Sequence, residues 1–139
     1  MKKFKTAGLL LLFLFPLSTF ADDESQHPLP DDSYIHAKFS RSYTQCINQS
    51  GAVTFEMQKC MDQEYEQQEK RVQQAVARIT SRPDSVQKDK HMDEIAAWWD
   101  NTERYCHWDP KTEGQGQMLD AQSCRLNRVA NLAKKLSND

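Results

Sequence analysis

The chain has 139 residues, 38% of them hydrophobic and 27% charged, with 18 Lys and Arg against 20 Asp and Glu. The formal charge of −2 argues against nucleic acid as a partner, and the length suits one small domain. The four cysteines (Cys46, Cys60, Cys106 and Cys124) form an even set with no Cys-x-x-Cys spacing, which argues for two disulfides rather than a metal site.

The first residues indicate export. Met1-Lys-Lys-Phe-Lys5 is basic, Ala7 to Leu17 is apolar, and Ser18-Thr-Phe-Ala21 offers small residues for a cut before Asp22. The expectation is a signal peptide over residues 1–21, with an apolar run too short to span a bilayer. No cysteine follows that run to carry a lipid. Its removal would take away Lys2, Lys3 and Lys5 and no acid, leaving 118 residues and shifting the charge from −2 to −5. A periplasmic or secreted protein of that charge, not anchored in the membrane, would attract a basic partner at long range.

Residues 22–33 carry Asp, Glu, Ser, His and two prolines around the aliphatic Leu29, a composition expected of a disordered leader. The folded domain is then expected over 34–139. Tyr34, Ile35, Ala37, Phe39 and Tyr43 suggest a short helix capped by Asp32 or Ser33, with Cys46 to Gly51 as a turn. A long helix is predicted from Thr54, its N-cap, to about Thr80, with Phe55, Met57, Met61, Tyr65, Val72, Ala75, Val76 and Ile79 as its apolar positions. Its polar stretch from Glu66 to Arg71 reads as a solvated face.

Pro83 ends that helix, and Asp84 with Gln87 suggests a capping box for the next, which runs to about His107. One stripe of this second helix holds Ile95, Trp99, Thr102 and Cys106, and a neighbouring stripe holds His91, Trp98 and Tyr105. Trp108 to Gln117 is broken by Pro110, Gly114 and Gly116 and reads as a loop. A last helix from Met118 to Leu136 buries Met118, Ala121, Val129, Leu132 and Leu136. Arg125, Arg128, Lys134 and Lys135 are then expected on its surface. The fold class is all-α: a helical hairpin plus a third helix, stapled by two disulfides.

Four cysteines permit three pairings. In an antiparallel hairpin turning at Pro83, Cys60 faces Cys106, which favours Cys60–Cys106 and leaves Cys46 for Cys124. Two local staples, Cys46–Cys60 and Cys106–Cys124, are the alternative.

Glu56-Met57-x-x-Cys60, a Trp eight residues before Cys106, a Gly-containing loop and Cys124 together resemble the LprI-type lysozyme inhibitor family. The resemblance spans roughly Cys46 to Leu136. It implies a small exported helical domain and inhibition of a lysozyme, and it marks Trp98 as the family tryptophan. The chain departs from the family pattern at Val72, Gln73 and Val76, at Asn101-Thr102-Glu103, and at Val129 and Leu132, and so resembles a divergent member.

No enzymatic pattern stands out. The cysteines have a structural role to fill, the acids are scattered along helices, and no Gly-rich phosphate loop occurs. No cofactor is expected. The candidate partner-binding element is the loop after the third cysteine, with His107, Trp108, Asp109, Lys111 and Glu113. It would serve a protein partner such as a lysozyme, blocked sterically. The alternative is an envelope accessory or immunity factor that binds another protein.

Overall fold

A computed structural model describes residues 31–33, 35 and 37–138. The expected signal peptide and most of the expected leader lie outside the described residues. Among those described, the chain is helical, with α1 (Arg41–Gln49), α2 (Thr54–Thr80), α3 (Val86–Tyr105) and α4 (Gln115–Leu136). No helix among them is long and apolar enough to cross a membrane.

The helix α1 is shorter and later than the sequence suggests. Ser40, not Asp32 or Ser33, is its N-cap, and the Ser40 hydroxyl accepts the Tyr43 amide. Phe39 stays outside the helix and meets the Tyr43 ring edge-on at 4.9 Å. Cys46, expected in a turn, therefore sits within α1. The chain reverses at Ser50–Val53, where Gly51 and Ala52 both have φ of 59° and the Val53 amide donates to the Ser50 carbonyl. Two successive positive φ values are those of a type I′ turn.

From there α2 runs for 27 residues, about 40 Å at the helical rise. Its core stripe is Met61, Val72, Ala75 and Ile79, at spacings of eleven, three and four. The polar stretch is not wholly solvated. Glu64 is 1% exposed and Gln68 is also buried, because both fall on that stripe. The Glu64 carboxylate accepts the Ser40 amide at 2.9 Å and the Gln68 amide at 2.8 Å, and also the Ser40 hydroxyl. Arg71 in turn donates to Gln68. A buried carboxylate with these donors costs far less than an unpaired one. It also ties the start of α1 to the middle of α2.

Ser85 caps α3 by accepting the Lys88 amide. The two helices that lie closest are α2 and α4. Gln58 meets Met118, and Gln122 donates to the Gln58 carbonyl and to Asp62. Against α3 the register of α4 is antiparallel: Glu94 with Lys135, Glu103 with Arg125, Thr102 with Arg128. So α4 runs parallel to α2, and α3 is the return between them. Leu126, Val129, Leu132, Ala133 and Leu136 of α4 close the core with Ile95 and Trp98. Each such buried aliphatic side chain contributes roughly 1.5–3 kcal/mol.

The pairing of cysteines is Cys46–Cys60 and Cys106–Cys124, with Cα separations of 5.7 and 5.5 Å. The favoured pairing from hairpin geometry, Cys60–Cys106 with Cys46–Cys124, is overturned. That geometry assumed α3 as the close neighbour of α2 along its whole length. Instead α1 folds back antiparallel over the start of α2 and brings Cys46 to Cys60. Cys106 leaves the α3 helix as its C-cap and meets α4.

Candidate functional site

The parallel arrangement of α2 and α4 sets their N-termini side by side. The turn before α2 and the loop before α4 therefore emerge at the same end of the bundle, and each disulfide lies within a few residues of one of them. This stapled end carries all of the residues singled out in the 107–113 segment.

That loop is internally bonded rather than slack. The Asp109 carboxylate accepts the Lys111 amide at 2.9 Å through one oxygen and the Thr112 hydroxyl at 2.9 Å through the other. The Asp109 carbonyl accepts the Thr112 and Glu113 amides. Glu113 reaches back to accept the Asp109 amide at 2.6 Å. An Asp that binds the backbone two residues on is a standard turn former. The Lys111 amide bond, then the Thr112 hydroxyl bond, hold the Asp109 carboxyl below its ordinary value of 3.8, with the nearby His107 adding to the effect. Gln117 closes the loop by accepting the Gly114 amide. This starts α4 at Gln115, three residues earlier than the sequence suggests.

Within the loop, Trp108 is partly buried at the root, whereas His107, Lys111 and Glu113 are exposed. The structure thus brings His107, Asp109, Lys111 and Glu113 together on one preformed, solvent-facing turn. Trp108 anchors it. Among the described residues no group of three or more His, Cys, Asp or Glu side chains could hold a metal ion.

A second constellation was hidden from sequence reasoning. Arg128, expected on the surface, is 0% exposed. Its guanidinium lies 5.3 Å from the Trp98 ring and 5.1 Å from the Tyr105 ring. Nε donates to Thr102 at 2.8 Å, and Nη1 reaches Asp32 at 2.7 Å and Asp31 at 3.4 Å. Nη2 is buried with no hydrogen-bond partner among the described residues. Asn131 adds bonds to the carbonyls of Asp32 and Ile35. Asp31, Asp32 and Ile35 are thus strapped across α4. Burial pushes the Asp32 carboxyl up despite Arg128 beside it. Burial also opposes ionisation of Asp31, but its bonds to Ser33 and the field of Arg128 outweigh it and hold it below its ordinary value. Beside the strap, Asp32, Ile95, Trp98, Asn131 and Leu132 line a cavity of about 290 Å³.

The arrangement of tryptophans separates two stripes the sequence left in competition. Trp98 is buried over Arg128, and Trp99 is half-buried against it, the rings edge-on at 4.7 Å. The family model for lysozyme inhibitor LprI matches residues 46–136, which includes both disulfides, Trp98 and the loop.

The chain belongs to the LprI family.

No curated protein and no solved structure matches it. For this LprI domain the matched region begins at Cys46, so the Asp31–Asp32 strap lies outside it while its receptor, Arg128, lies within. All four family cysteines are bonded, and none is free.

Proposed function

We propose that this protein is a lysozyme inhibitor that acts by steric blockade, through the loop His107–Glu113. The observation that carries the reading is the LprI match over residues 46–136, within which this loop is the exposed, preformed element. A loop held by its own hydrogen bonds and by Cys106–Cys124 loses little entropy on docking. Asp109 and Glu113 offer carboxylates to a basic cleft rim, and His107 and Lys111 can meet acidic groups within it. We further propose export through residues 1–21 to the periplasm or beyond, the oxidising setting in which both disulfides persist.

The test is peptidoglycan lysis by lysozymes of several classes with the oxidised protein added, at low and at physiological salt. Dose-dependent inhibition near stoichiometry is expected, weaker at higher salt. Alanine at Asp109, Lys111 and Glu113 together should weaken inhibition at least tenfold without unfolding the bundle. Full inhibition by that triple variant would sink the loop reading. Failure to inhibit any lysozyme would turn the search to another envelope partner.

A further inference from the structure

The loop is half of what the stapled end displays. The other half is apolar. Phe55 and Val53 are 70% and 54% exposed, although Phe55 counts among the apolar positions of the helix. Isolated apolar residues on a surface are ordinary, but these two stand two residues apart at one end of the molecule. They follow a turn in which Ala52 holds a φ of 59°. A left-handed conformation strains a non-glycine residue, and the turn is held here by Cys46–Cys60 and the buried Ser50.

Phe55 opens onto a shallow groove of about 320 Å³ along α2, with Gln58, Asp62 and Glu66 on its walls. Gln58 and Asp62 are the same residues that bond to Met118 and Gln122 at the start of α4. The groove therefore reaches the first turns of α4 and lies at the same end of the bundle as the 107–113 loop. The surface they form has an aromatic residue at one side and carboxylates at Asp62, Glu66, Asp109 and Glu113, against Lys59 and Lys111. Interface centres are enriched in aromatic residues with polar rims around them.

We propose that Phe55, with Val53, is an apolar anchor for the same protein partner that the loop engages, and that the partner is a basic lysozyme whose cleft lip seats on the α2 groove. This rests on the inhibitor reading above. The acidic rim steers the encounter and the aromatic side chain sets the residence time, because charge governs association and buried apolar contact governs dissociation.

The probe is c-type lysozyme, a strongly basic protein, with association and dissociation rates measured on the oxidised chain at several salt concentrations. Phe55→Ala should raise Kd about tenfold or more, chiefly through faster dissociation, with an unchanged salt dependence. Phe55→Leu should recover most of the loss. Asp109→Asn with Glu113→Gln should instead slow association and flatten the salt dependence. Val86, 86% exposed at the far end of the bundle, supplies the control, and Val86→Ser should leave both rates unchanged. Circular dichroism and Tm matching the unsubstituted protein exclude misfolding as the cause. A Phe55→Ala protein with unchanged Kd, alongside a weakened loop variant, overturns the anchor and leaves the loop reading standing. Absence of any binding by the unsubstituted chain overturns both.

Discussion

Arg128 shows how far a single side chain can depart from the reading its neighbours suggest. It sits among Arg125, Lys134 and Lys135 on a C-terminal helix, where cations ordinarily face water and complement the dipole. Its partners Asp31 and Asp32 lie at sequence separations of 97 and 96, beyond the reach of any local pattern. Only a planar, delocalised cation can lie against two aromatic rings and still donate in its plane to Thr102 and Asp32. Arg128→Ala should therefore cost about 3–5 kcal/mol by urea unfolding, since it strands two carboxylates and removes a fully packed side chain. Arg128→Lys should recover little of this, because an ammonium keeps the charge but loses the stacking. A lysine variant as stable as the unsubstituted protein would show that charge alone matters there.

At the scale of elements, periodicity carried the reading well where helices are long. The expected 54–80 helix coincides with α2, and the α3 and α4 boundaries fall within a few residues of expectation. The misplacement of α1 has a local cause. Phe39 and Tyr43 are four apart and look like one helical face, yet they meet across a cap, with Phe39 outside the helix before Ser40. Glu64 and Gln68 were missed because polar residues on a core stripe are invisible to a hydrophobic pattern; their donors come from Ser40 and Arg71. The loop was legible from Pro110 and from Gly114 at its end, whereas Gly116, also expected in it, lies inside α4. The loop's rigidity was not legible, since that depends on which way Asp109 and Glu113 turn. A pH prediction belongs to this element. Asp109 has a folded pKa below its ordinary 3.8, so its contribution is fully present above that value and is lost as pH falls through the lowered one. The Lys111 amide resonance should report loss of its carboxylate acceptor only as pH falls below the ordinary value of 3.8. Loss of the loop signals near pH 6 would contradict the Asp109 network.

For the whole molecule, the decisive relationship is the parallel packing of α2 on α4, which no sequence spacing announces. Chain order suggests that α2 pairs most closely with α3, and the expected Cys60–Cys106 bridge followed from that picture. The actual staples close loops at separations of 14 and 18 residues. Each stabilises by about 3 kcal/mol in the chain-entropy account. Mass spectrometry of an unreduced digest should give one peptide pair holding Cys46 with Cys60 and another holding Cys106 with Cys124. A linked pair joining Cys60 to Cys106 would refute the fold's connectivity. Reduction should lower Tm sharply, since a domain of this size leans on its cross-links.

Neither bridge crosses the Ser81–Ser85 connection. One backbone cut there would leave two pieces with no covalent link between them: α1 with α2 in one, α3 with α4 in the other, each still closed by its own sulfur bridge. On a non-reducing gel the nicked protein would run as two bands, while in native buffer the pieces would stay together through the α2–α4 seam. The molecule is thus divisible into complementary halves, and mixing separately made halves should regenerate the surface that neither possesses alone.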